Sequence, residues 1–305
     1  MSARRNAILI AAGIAVLTVA VYWQVGSFDF VEFDDPAYVS ENPRVQQGLT
    51  WDNVRWALTT FEAGHWHPLT WLSLMATCQF FGSDAGAHHL VSVGIHVVAA
   101  LLLFVALRRA TGALSESAFV GALFALHPLR VESVAWVAER KDVLSALLWM
   151  LTLSAYVRYA SKRSGRSYLL VIACFTLAVA AKPMVVTLPV VLLLIDAWPL
   201  RRWRFWRVDR RLIIEKLWFA PLVVLSVVLA VLAQHAAGAV AGLENLPVET
   251  RLATAAISYV RYVGKTLWPM HLVAFYPHPG EWPISDVVFA TIGLAAMPLR
   301  FFCCG

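Results

Sequence analysis

The sequence predicts an all-α, polytopic membrane protein, and three observations point there. Of its 305 residues 60% are hydrophobic and only 14% charged, against about 25% charged in soluble domains, and the mean hydropathy is +0.67. Apolar runs long enough to cross or nearly cross a bilayer alternate with short basic clusters. The net charge of +6 is dispersed among those clusters, a topology signal and not a nucleic-acid groove. Cys78, Cys174, Cys303 and Cys304 show neither a disulfide framework nor a metal spacing.

Arg4 and Arg5 precede a first apolar run, residues 6–22. It could be a signal peptide, but it is about long enough to span and lacks a clean small-x-small cleavage site, so an uncleaved helix with a cytoplasmic N-terminus is expected. A first external loop, 24–88, follows. It opens with Asp29, Glu32, Asp34 and Asp35 among Phe28, Phe30, Phe33 and Tyr38. An Asp at the centre of a bilayer costs roughly 3 kcal/mol on insertion scales, so the adjacent pair is expected at an aqueous surface, held there by the aromatic rings. Pro36 biases Asp35 away from helix. Within the loop, 51–58 reads as a short amphipathic helix with Thr50 or Asp52 as N-cap, and 67–75 as an interfacial helix begun by Pro68.

Residues 89–107 form a good second span, closed by Arg108 and Arg109, and the shorter run 117–126 returns outward. The polar stretch 127–142 reads as helix, with Glu132, Trp136 and Glu139 on one face. Spans at 143–157, 168–181 and 184–195, a basic loop at 199–216 and a span at 217–233 follow. In the long external segment 234–283, residues 251–268 carry Arg251, Arg261 and Lys265 on an apolar helix that suits the interface. Residues 284–299 are the last span, giving about eight. This topology puts 16 of the 25 Lys and Arg on the N-terminal side of the membrane. The tail 301–305 is atypical and is expected to mark a truncation.

The acidic residues gather on the outer face, where three groups can do chemistry. Asp34 or Asp35 can act as general base on a hydroxyl or hold a metal ion. His127, Arg130, Glu132, Glu139, Arg140, Lys141 and Asp142 form a second group. Arg140 and Lys141 need a partner there, either lipid phosphate or local Glu139 and Asp142. Lys182 between two apolar runs either faces a cavity or snorkels. His65, His67, His88 and His89 supply four outer imidazoles, but without an i, i+4 pair, so a metal site is not the preferred reading. The sequence specifies no cofactor, and a divalent metal is compatible with it.

Several motifs in order, 33–43, 67–73, 89–91, 127–136, 140–144 and 182–184, extended by Glu215-Lys216, Gln234, 259–269 and 275–277, resemble the membrane half of GT-C glycosyltransferases. The resemblance is to the transmembrane-and-TPR O-mannosyltransferase-like proteins and their bacterial relatives, and it runs to about Met297. It implies a GT-C-like transmembrane domain over 1–300, a polyprenyl-phosphate-linked sugar donor, and inverting transfer to a hydroxyl acceptor, protein Ser or Thr or else a glycan, on the extracytoplasmic face of a bacterial inner membrane. On that resemblance Asp34 and Asp35 are the catalytic acids, Asp34 as base with Asp35 orienting it or binding acceptor or metal, and His127, Glu132, Tyr38 and His67 line the substrate pocket. Arg140, Lys141 and Lys182 then meet the lipid phosphate. The family's tetratricopeptide repeats are not found within this sequence. A transporter or flippase for a lipid-linked sugar is the competing reading, but it favours polar groups at mid-membrane. A third is a non-catalytic membrane scaffold.

Overall fold

The computed structural model describes residues 2–203, 209–239, 247–273, 276–277, 279–280 and 282–303, with side chains through 295. Arg204, Arg207, Phe275 and the end of the tail, Cys304 and Gly305, lie outside the described residues. Among the described residues the regular structure is helical throughout. Met1–Ala237 and Gly238–Gly305 form two compact units.

In the first unit, α1 (Ser2–Tyr22) leads into the external loop, which holds α2 (Pro43–Gln46), α3 (Trp51–Thr59) and α4 (Pro68–Phe81). Asn42 caps α2 by accepting the N–H groups of Arg44 and Val45 at 3.1 and 3.2 Å. Thr50, not Asp52, caps α3 through the N–H of Asn53 at 3.3 Å. α4 runs six residues beyond the expected end at Met75, because its apolar residues continue until Gly82 stops it with a positive φ of 64°.

The long α5 (Ala85–Thr111) begins at an Asp84 cap and ends at Gly112 in the left-handed region. After α6 (Leu114–Leu126) the expected polar helix is broken. Pro128–Arg130 is a 3-10 turn, α7 is Val131–Ala135, Trp136 is extended (φ −102°, ψ 123°), and Val137–Glu139 is a second 3-10 turn. The single face proposed for Glu132, Trp136 and Glu139 therefore does not exist. α8 (Arg140–Ser161) packs on α5 and on α9 (Gly165–Ala181), with Tyr156, Phe175 and Phe219 fully buried in their common core. Lys182-Pro183 breaks the chain into the turn Pro183–Thr187 before α10 (Leu188–Ala197). α11 (Arg210–Leu217) and α12 (Ala220–Ala236) meet at a 42° bend.

α12 exposes Val224, Leu225, Val227, Val228, Val231 and Leu232, an apolar sleeve that suits lipid. Among the described residues three helical segments are long and apolar enough to span: Ala3–Ser27, Ala85–Thr111 and Val137–Ser161. Counting each bent pair as one span gives five. A total near eight would need the shorter apolar helices Gly165–Ala181, Pro183–Ala197 and Ile284–Ala295 as well.

The second unit pairs α13 (Val248–Leu267) with α14 (Ile284–Cys303). Trp282 lies between them, donating to Thr254 Oγ1 at 2.8 Å beneath the Arg261 guanidinium, 4.6 Å from its ring.

Candidate functional site

The two adjacent acids have different surroundings. Asp35 is fully buried, accepting the N–H of Val31 at 2.8 Å and that of Ala138 at 2.7 Å, one on each carboxylate oxygen. Burial pushes its carboxyl above the usual range, and the two amide donors pull the other way. Asp35 thus pins the acidic loop to the turn before α8. Asp34 is half-buried, and its carboxylate accepts no hydrogen bond among the described residues. A base for an incoming hydroxyl needs an open oxygen, which Asp34 has and Asp35 lacks.

Two lysines stand nearby. Lys141 Nζ contacts Glu139 Oε1 at 2.7 Å and the Ala138 carbonyl at 3.1 Å, and lies 5.0 Å from the Tyr38 ring centre. Lys182 pairs closely with Asp142 and lies 3.8 Å from Glu139 Oε2. Ser133 donates to the second Asp142 oxygen at 3.1 Å. The alternating cluster Lys141–Glu139–Lys182–Asp142 is thus neutral in itself. Exchange of a carboxylate for a phosphate would leave both lysines engaged.

The site wall is aromatic. Tyr38 stacks parallel to His67, with centroids 5.7 Å apart, and on Trp71 at 4.9 Å. His67 is 1% exposed, and neither ring nitrogen has a hydrogen-bond partner. Burial, with His65, Lys141 and Lys182 adding to it, pushes its imidazole down to about 3, so it is neutral at pH 7. Its neighbour His65, at 5.6 Å between centroids, is half-buried. Burial and the ammonium groups of Lys141 and Lys182 push His65 down, and Asp34 opposes them. Asp34, His65, Lys141 and Lys182 are therefore electrostatic neighbours.

Other expected site residues fall elsewhere. Arg140 is fully buried: Nε donates to Ser92 Oγ at 2.7 Å, Nη2 to the His88 carbonyl at 2.6 Å, and Nη1 to Thr77 Oγ1 and Ser73 Oγ at 3.2 and 3.3 Å. It ties α4 and α5 to α8 and has no surface to offer a lipid phosphate, which corrects the expectation. His127 turns Nδ1 to the N–H of Leu129 at 3.2 Å and so caps a turn. Glu132 is exposed on α7. The four-histidine metal alternative is not assembled. His88 contacts Cys78 Sγ at 3.5 Å and the Gly82 carbonyl at 3.3 Å, and His89 packs on Phe28. No group of three or more His, Cys, Asp or Glu among the described residues is placed to hold a metal ion. Beside the loop, a cavity of about 620 Å³ is lined by Asp29, Glu32, Glu41 and Asp84 among others, and Asp34 does not line it.

A second polar centre escaped the sequence reading. At the far end of α8, buried Asp196 accepts from Tyr156, from Arg202 Nη1 at 2.8 Å and from Lys216, while Arg202 Nη2 meets Glu215 at 3.0 Å. Asp196 at the end of an apolar run and the Glu215-Lys216 pair are its visible signs in the sequence.

A family model described as dolichyl-phosphate-mannose-protein mannosyltransferase matches residues 67–235. Among curated relatives, the chain is 28% identical over 183 residues to protein O-mannosyl-transferase Tmtc1 of Drosophila melanogaster, covering 58% of this chain and 21% of the relative. It is 30% identical over 173 residues to the human protein O-mannosyl-transferase TMTC1, covering 52% and 19%. The mouse protein O-mannosyl-transferase TMTC2 is 27% identical over 156 residues, covering 49% and 18%. The chain spans about a fifth of the length of these relatives. No solved structure matches it.

Proposed function

The chain belongs to the dolichyl-phosphate-mannose-protein mannosyltransferase family, and from that premise we propose that it moves a hexose from a polyprenyl-phosphate donor to a hydroxyl acceptor, protein Ser or Thr, with inversion. The relatives' names carry the O-mannosyl part of this reading. The acidic loop, with the lysine cluster beside it, is the extracytoplasmic reaction site of a bacterial inner-membrane protein whose N-terminus is cytoplasmic. The first external loop, 24–88, carries the acids, and the transmembrane domain over 1–300 is the scaffold.

One observation supports the reading above the rest: Asp34 is open while its neighbour Asp35 is spent on two backbone amides. Asp34 takes the proton of the acceptor hydroxyl as that oxygen bonds to the anomeric carbon. The bond from that carbon to the phosphate oxygen breaks on the opposite face, and the carrier phosphate leaves with the electron pair. Lys182 and Lys141 meet the charge that develops there, exchanging Asp142 and Glu139 for phosphate oxygens. Tyr38 and His67 wall the pocket.

The test is purified protein in lipid, supplied with polyprenyl-phosphate mannose and a Ser/Thr peptide, with the product's anomeric configuration read by NMR. A mannosylated peptide of inverted configuration is expected. Retained configuration would remove Asp34 from the role of base, and transfer to a lipid acceptor alone would move the acceptor away from protein.

A further inference from the structure

The segment between α3 and α4 reaches the site from a distance. Thr60 Oγ1 accepts the N–H of Glu62 at 3.0 Å, and the turn Glu62–Gly64 then places Ala63 at φ 55° and Gly64 at φ 70°. Glycine adopts that region freely, but a residue with a Cβ is strained there. His65, Trp66 and His67 follow at once, and Trp66 Nε1 donates back to the Leu58 carbonyl at 3.0 Å. Local bonds close the turn, from the Gly64 N–H to the Phe61 carbonyl at 3.0 Å and from the His65 N–H to the Glu62 carbonyl at 3.4 Å. A further contact comes from 170 residues away: Gln234 Nε2, near the end of α12, donates to the Gly64 carbonyl at 2.8 Å. Gly64 is buried, and a Cβ built on it would lie 3.1 Å from Ala237 Cβ, so the turn sits flush on the helix end.

We propose that Gln234 is a positioning residue: it latches the strained Glu62–Gly64 turn onto α12, and the latched turn holds His65 on His67 and His67 against Tyr38, beside Asp34. Strained backbone persists only where its surroundings enforce it, and it clusters at functional sites. The latch supplies that enforcement. It also explains how His67 is kept buried with both nitrogens unpartnered, since His65 covers it at 5.6 Å between centroids. The kinetic consequence rests on the site reading above; the geometric one does not.

The experiment separates the two. The full chain in lipid nanodiscs is treated with diethylpyrocarbonate, and modification of His65 and His67 is mapped by mass spectrometry against exposed His271 as internal reference. Gln234→Leu removes the donor at similar volume, and loss of one hydrogen bond is expected to speed modification of both rings about five-fold. Ala63→Gly in the Gln234→Leu background relieves the strain and slows it again by a similar factor. If the single variant misfolds, Gln234→Glu, which cannot donate to the carbonyl, is read in the same way. Modification rates in Gln234→Leu equal to wild type would overturn the latch, as would an Ala63→Gly exchange without effect. In a transfer assay the latch variant lowers kcat more than it alters KM. Faster modification with unchanged transfer would keep the latch and detach it from catalysis.

Discussion

Replacing Asp35 by Ala tests how the acidic loop is held. The substitution leaves the Val31 and Ala138 amides, now 2.8 and 2.7 Å from a carboxylate oxygen, without that acceptor, Ala138 in a fully buried position and Val31 in a half-exposed one where water can replace it. Hydrogen bonds to a charged group contribute about 1.5–3 kcal/mol each, so the two together are worth about 3–6 kcal/mol. Desolvation works against this, since burial raises the carboxyl's pKa, and the lower half of the range is expected. Asp35→Asn keeps one acceptor and loses about half as much. Hydrogen exchange in lipid reads the effect directly, because about 3 kcal/mol is roughly a hundred-fold loss of protection at Val31 and Ala138. Exchange at both amides in Asp35→Ala as slow as in wild type would refute the pin. The sign with pH follows from the raised pKa: the pH-dependent part of the carboxyl's effect on stability is greatest below its ordinary value of 3.8 and falls as pH rises through the higher folded value, while the two amide hydrogen bonds persist.

His67 gives the opposite slope. Its folded pKa lies near 3, below the ordinary 6.5, so its contribution is complete above pH 6.5 and is lost as pH falls toward 3. His67→Phe, which preserves the stack on Tyr38, should flatten the acid limb of a stability–pH curve, and an unchanged limb would show the ring is not buried neutral. Arg140→Gln should lower thermal stability by a few kcal/mol, through donors and acceptors left unpaired, without changing affinity for polyprenyl phosphate. Lys182→Gln should do the reverse, costing under about 1 kcal/mol because its ion pair is partly exposed; titration of both variants with the lipid separates the roles, and an exchange of outcomes would restore Arg140 as a phosphate ligand. Asp196→Asn strands Arg202 and Lys216, both largely buried. A loss of about 3–5 kcal/mol is expected in chemical denaturation, and a loss below 1 kcal/mol would show that the centre is not a buried ion network.

The fold class was legible because lipid imposes it: long apolar runs with basic ends admit only helices among soluble and membrane alternatives. Local signals also worked, as in the Thr50 cap and in Pro68 opening α4. A continuous helix across 127–142 is not formed: its charges repeat at helical spacing, while Trp136 is extended and the Ala138 amide is given to Asp35. Sequence places Asp34 and Asp35 together and favours Asp34 as base, but holds no local signal that separates their surroundings. One residue of difference decides which carboxylate meets the buried Ala138 amide 103 positions away. Arg140 and Lys141 look equivalent in the chain, yet consecutive helical positions point about 100° apart, one into the junction of α4 and α5 and the other toward Tyr38. The Gln234–Gly64 contact and the Asp196 centre join remote segments: Gln234 and Glu215-Lys216 stand among the motifs, but nothing local in the sequence gives their partners.

The proposed mechanism makes Asp34 the base. Sugar transfer from polyprenyl-phosphate mannose should be measured for Asp34→Asn beside Asp34→Glu and wild type, with donor binding as the control. With Asp34 as base, Asp34→Asn binds donor as wild type does and loses at least about a hundred-fold in kcat, the scale of general-base catalysis, while Asp34→Glu retains part of the rate. Asp34→Asn turning over at the wild-type rate would contradict it.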